Sequence, residues 1–127
     1  MSMEVGVVVF EDGHYWHEPD GSTSGSLPDS WTLWDVLWEN RDRLVGFAHS
    51  HPGSGVPAPS HTDISTFRAV EQALGRNLEW WVISRDHVVL CTWERGSTGT
   101  WVAHIDEDEH VWLDELRRLS YTEVSDG

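Results

Sequence analysis

His49 and His51, two residues apart and followed by Pro52, stand upstream of Ser60 and Asp63, which are three residues apart. These are the residue types and spacings in the chain that can do chemistry. Residues at i and i+2 of an extended strand share a face, so both imidazoles point the same way. Two neutral imidazoles on one face are half of a catalytic zinc site. Pro52 stops the strand and turns the chain away. Asp63 falls inside the first turn of a helix opened by Ser60, where its carboxylate can swing back toward the strand end. Two histidines and one aspartate would leave the fourth tetrahedral position for water, which marks a catalytic rather than a structural zinc. Taken singly, a strand-end His-x-His reads as two solvated histidines, and Ser-x-x-Asp reads as a helix cap. Taken together they are five fixed positions at about one in twenty each, a coincidence expected in roughly one chain in tens of thousands of this length. The metal reading is the better one.

The elements that must hold these groups can be placed by periodicity. Met3 to Phe10 is a β-branched run dense enough for a buried strand, and Glu11-Asp12-Gly13 turns it into a return strand at His14 to His17. Pro19 to Ser30 is a Gly/Ser/Pro/Asp loop. Ser30 then caps a helix over Trp31 to Arg43, with Trp31, Trp34, Leu37 and Trp38 at helical spacing. Leu44 to Ala48 is a short apolar strand that delivers the His-x-His-Pro segment. Three prolines between Pro52 and Pro59 exclude a helix there. Ser60 opens the next helix, through Leu74, with Ile64, Phe67, Val70 and Leu74 on one face and Gly75 as its C-cap. Leu78 to Ser84, Val88 to Trp93 and Thr100 to Ile105 read as three strands. The acidic run Asp106 to Glu109 reads as solvated capping of a last helix whose Val111, Trp112, Leu116 and Leu119 face inward.

The stretch from His49 to Asp63 resembles the signature of the JAMM metalloproteases, the zinc-dependent branch of the JAB/MPN domain family. The resemblance extends from the first strand through the strands after the motif. It implies an α/β fold similar to cytidine deaminases, a mixed β-sheet flanked by α-helices, in one domain over residues 1–127. It implies one Zn²⁺ per chain held by His49, His51 and Asp63, with Ser60 steadying the oxyanion. It further implies hydrolysis of a peptide or isopeptide bond after the C-terminal glycine of a ubiquitin-like or sulfur-carrier protein, in a prokaryotic system. The family draws its general base from a glutamate on an early strand in a Glu-x-x-Gly context. Glu4-Val5-Gly6 is one residue shorter, and a carboxylate within an apolar strand needs a partner to be tolerated, which makes Glu4 the candidate base. Residues that would bind the substrate are not legible; the loops at 19–30 and 53–59 are where an extended Gly-Gly tail could pair main chain to main chain.

Composition bounds the alternatives. The chain has 127 residues and a formal charge of −14, with eight Arg and no Lys. Gripping phosphates takes many Lys and Arg, so neither nucleic acid nor an anionic membrane is an expected partner. No apolar run approaches the ~20 residues that cross a bilayer, and the N-terminal segment lacks a basic region typical of a signal peptide. One Cys, Cys91, excludes an internal disulfide and fits the cytoplasm. It also excludes cytidine deamination, which needs a Pro-Cys-x-x-Cys. The remaining alternatives are a non-catalytic MPN-type binding scaffold and a RadC-like or phage-tail-associated JAB domain, the latter because Val56 to Ser60 also resembles the RadC loop.

Overall fold

Alternation of apolar side chains along the strands decides the architecture. In β1 (Gly6–Phe10) Val8 and Phe10 join one hydrophobic cluster while Val7 joins another; in β4 (Glu79–Ile83) Trp80 and Val82 face the first and Trp81 and Ile83 the second. Strands apolar on both faces need cover on both. The structure, a computed structural model, describes residues 5–17, 31–51, 53–94 and 99–121. It shows β1, β2 (Gly13–His17), β3 (Leu44–Ser50), β4, β5 (Val88–Glu94) and β6 (Thr100–Ile105) in one sheet of order β2-β1-β3-β4-β5-β6. The pair β3 and β4 is parallel and the other pairs are antiparallel.

Helices α1 (Trp31–Glu39) and α2 (His61–Leu74) contribute Leu33, Leu37, Phe67 and Val70 to the first cluster. Helix α3 (Leu113–Ser120), with the preceding Trp112, contributes Trp112 and Leu116 to the second. The fold is therefore α/β, a mixed sheet with helices on both faces, as the sequence leads one to expect. A parallel pair requires a crossover, and α2 supplies it. Consequently α2 begins at the end of the sheet where β3 finishes, the position at which open α/β sheets present their ligand crevice.

Several expectations need correction. Strand β3 runs on to Ser50, so His49 lies within the strand. Helix α1 stops at Glu39 rather than Arg43, because the Asn40 side-chain amide takes the Val36 carbonyl and Arg43 Nε donates to Asn40 Oδ1. Its buried stripe is Leu33 and Leu37 flanked by Trp34, whereas Trp38 is 52% exposed and stacks under the Arg41 guanidinium at 4.0 Å. Val111 does not face inward; it is 89% exposed, since α3 starts only after it. Nor is the whole acidic run solvated. Asp106 Oδ2 accepts from Trp81 Nε1 and pairs with His110 Nε2, both at 2.9 Å.

Glu71 is a buried carboxylate that sequence periodicity does not single out. Its Oε2 accepts from the Leu78 backbone N–H at 2.9 Å and from Trp80 Nε1 at 2.8 Å, tying α2 to β4. Burial raises its pKa, and these two donors only partly offset that. Because the folded-state value is raised, Glu71 favours the folded chain most at low pH, and that contribution is lost as pH rises through the folded-state value. Glu71→Gln keeps an oxygen for both donors and does not titrate. The variant is expected to gain stability relative to the parent as pH rises above the ordinary carboxylate range, read from urea-unfolding midpoints; a pH-independent difference contradicts this.

Candidate metal centre

The two-residue period that sorts Phe47 and Ala48 to opposite faces places His49 and His51 on the Phe47 side, under α2. His49 lies edge-on to Phe67 with ring centroids 6.3 Å apart. Opposite His49 in the β1–β3 ladder is Gly6, where a Cβ would fall 2.4 Å from the Phe47 ring, so only glycine lets that ring lie against the strand beside the histidine.

Asp63 arrives from the other direction. Ser60 is the N-cap of α2: its Oγ accepts from the Asp63 N–H at 3.0 Å, and Asp63 Oδ2 accepts from the Ser60 N–H at 2.8 Å. This capping box fixes the Asp63 rotamer. The same carboxylate meets His51 Nε2 at 3.0 Å through Oδ2 and His49 Nε2 at 3.3 Å through Oδ1, while the two Nε2 atoms are 3.2 Å apart. The cap and the ligand reading, alternatives in the sequence, hold together in space.

Two imidazole nitrogens and a carboxylate at these separations match a tetrahedral ion. With bonds of about 2.0–2.1 Å, ligand atoms on a tetrahedral zinc lie about 3.3–3.4 Å apart. Hydrogen bonding alone cannot satisfy the triangle. A neutral imidazole offers at Nε2 either one N–H or one lone pair, and one N–H cannot serve both the carboxylate and the neighbouring ring. A cation takes one lone pair from each. The donor set therefore fits a divalent metal, and among the described residues it is the one His/Cys/Asp/Glu cluster that could hold an ion. The side chains of His49, His51 and Asp63 are 16%, 23% and 18% exposed, so solvent reaches the cluster, and three protein ligands leave a fourth tetrahedral position open.

Electrostatics agree. Desolvation alone would raise the Asp63 pKa, but hydrogen bonds from His49 and His51, the charge of His49 and the Ser60 N–H outweigh it and hold the carboxyl well below the ordinary carboxylate range. It stays an anionic ligand. Cys91 is not a competing one: burial, then the negative charge of Asp63, pushes its thiol up to about 11.

The structure also shows supports that the sequence does not reveal. The Tyr121 hydroxyl shares its one proton between the His51 carbonyl and, at 3.0 Å, that of Ile83, while Arg117 Nε donates to the Ser84 carbonyl at 3.1 Å. The loop after His51 is pinned to the β4–β5 turn. Gly55 N–H donates to Asp86 Oδ1 at 2.7 Å, Ser84 Oγ to the Gly55 carbonyl at 2.6 Å, and Arg85 N–H to the Gly53 carbonyl at 3.1 Å. Asp86, bonded to His87 and to this loop, is held at about 2. Arg85-Asp86-His87 carries only a turn signal, and the Tyr121 contact spans 70 residues; neither leaves a local trace. Ser50, between the two histidines in sequence but on the opposite face of the strand, donates its N–H to the Val5 carbonyl at 3.1 Å and accepts from the Val5 N–H through Oγ at 3.0 Å. Glu4, the candidate base, lies outside the described residues. Of the five residues singled out, His49, His51, Asp63 and Ser60 come together in one place.

No described helix is long and apolar enough to cross a membrane. A family model described as prokaryotic homologs of the JAB domain matches residues 4–102. No curated protein is matched.

Proposed function

Because the chain belongs to the family of prokaryotic JAB-domain homologs, and its His49–His51–Asp63 cluster fits a metal ion, we propose that it is a zinc-dependent peptidase or isopeptidase of the JAMM type. Its substrate in this reading is a ubiquitin-like or sulfur-carrier protein, cut after the C-terminal glycine. The observation that carries the proposal is the convergence of two imidazole Nε2 atoms and the Asp63 carboxylate, with contacts of 3.0–3.3 Å, in a cluster open to solvent.

A zinc ion held by His49, His51 and Asp63 would supply Lewis acidity, lowering the pKa of water from 15.7 toward about 7 and polarising the scissile carbonyl. The protein's own groups do the rest. Ser60 Oγ spends a lone pair on the Asp63 N–H, and among the described residues nothing accepts its hydroxyl proton. That proton is available to the oxyanion that develops when the carbonyl is attacked, an interaction commonly worth about 3–4 kcal/mol. Asp63 stays ionised because its neighbours hold it so. Glu4 takes the proton from the attacking water and passes it to the leaving amine. Its assignment rests on the family pattern of a glutamate on an early strand, which Glu4-Val5-Gly6 approaches.

Side chains cannot specify a Gly-Gly tail, so selection falls to an extended backbone fit that excludes bulkier tails. The charge of −14 favours a basic partner by steering. The test is incubation of the zinc-loaded protein with a fusion whose ubiquitin-like part ends in Gly-Gly. Cleavage after the second glycine, lost on chelation and restored by zinc, is the expected result. A zinc-loaded protein that binds such a fusion without cutting it would favour the scaffold reading instead.

A further inference from the structure

A cavity of about 390 Å³ opens between the C-terminal half of α2 and the β5–β6 pair, and Arg68, Gln72, Arg76, Asn77, Trp93 and Trp101 line it. Its aromatic wall is rigid. Trp93 and Trp101 are directly opposite in the β5–β6 ladder, with ring centroids 5.4 Å apart, and Trp101 leans edge-on against Phe67 at 5.7 Å. Trp93 lies over Gly99, whose φ of +71° and whose missing Cβ, which would come within 2.5 Å of the indole, both require glycine.

The cationic wall is unexpected in this chain. Two of only eight basic residues in a protein of charge −14 face one cavity. Arg68 is exposed and, among the described residues, has no hydrogen-bond or ion-pair partner. Arg76 gives one N–H to the Arg41 carbonyl and retains the remaining donors of its fork. Glu71 also borders the cavity, but its Oε2 is taken by Leu78 and Trp80. Guanidinium forks match carboxylate and phosphate oxygens, and indole faces take flat rings. The volume is within the range of small-molecule sites.

We infer that this cavity binds a small ligand joining a flat aromatic ring to an anionic group, the ring against Trp93 and Trp101 and the anion on Arg68 and Arg76. A mononucleotide and an N-acylated aromatic amino acid share that chemistry. The site does not depend on the peptidase reading, and its test does not use activity.

The full chain, labelled with ¹⁵N, is titrated with AMP, N-acetyltryptophan, adenosine and inorganic phosphate while indole N–H signals are followed, those of Trp93 and Trp101 being assigned from Trp93→Phe and Trp101→Phe. Saturable binding of AMP or N-acetyltryptophan with a Kd below about 1 mM, moving those two signals, is expected. Adenosine and phosphate should bind at least tenfold more weakly. Which of the two compounds binds identifies phosphate or carboxylate as the anion. Arg68→Ala, at an exposed site whose loss leaves no group unpaired, should weaken binding at least tenfold with an unchanged melting temperature. Failure of both compounds to bind, phosphate or adenosine binding as tightly, or Arg68→Ala binding as the parent does would each overturn the inference.

Discussion

Asp63→Asn is expected to lower zinc affinity at least about a hundredfold while leaving the fold intact. Structural zinc sites bind with about 10 kcal/mol or more, so one of three protein donors carries on the order of 3 kcal/mol, and each 1.4 kcal/mol is about tenfold. The loss is larger than for a neutral donor because Asp63 is, among the described residues, the one anion bonded to the two imidazoles, and its carboxyl is held ionised by them. The fold should survive. Asparagine keeps an oxygen for the Ser60 N–H, and the Asp63 backbone N–H that Ser60 Oγ caps is untouched. Competition with a chromogenic chelator gives the affinity, and near-ultraviolet circular dichroism checks the tertiary structure. Parent-like zinc affinity in a folded Asp63→Asn variant removes Asp63 from the ligand set.

Glu4→Gln separates chemistry from binding. The side chain keeps its size and polarity but cannot accept a proton, so turnover of the fusion substrate should fall by about 10²–10⁴-fold, the range for a general acid–base group. Zinc content and substrate affinity should be unchanged, because the residues that fit the metal are His49, His51 and Asp63. Unchanged turnover transfers the base role to another residue. Loss of zinc would instead make Glu4 a ligand and close the coordination sphere.

The parts of the fold and site that are legible in the sequence are those written in short-range rules. The strand period puts His49 and His51 on one face whatever lies above them. Ser60-x-x-Asp63 and Gly75 mark both ends of α2 within a few residues of themselves, and the observed caps are those. In the sequence the cap and the ligand roles of Asp63 compete; in space one carboxylate oxygen serves the Ser60 N–H and approaches His51 together. Tertiary context decides the remainder. Trp38 fits a helical stripe, yet an indole under a guanidinium at the surface is a stable alternative to burial. An inward Val111 requires a helix that begins with the acidic run, and α3 begins after it. Asp106, solvated by its sequence context, is drawn in by Trp81 and His110. Tyr121 reaches His51 from a strand-distant helix end, and no local pattern encodes such a contact.

Calorimetric titration of the metal-free protein with Zn²⁺, paired with the same titration of the His49→Ala/His51→Ala variant, bears most directly on the metal centre. One zinc per chain for the parent and none for the variant is the expected result. Absence of stoichiometric zinc binding by the folded parent, or binding that persists without both imidazoles, would contradict it.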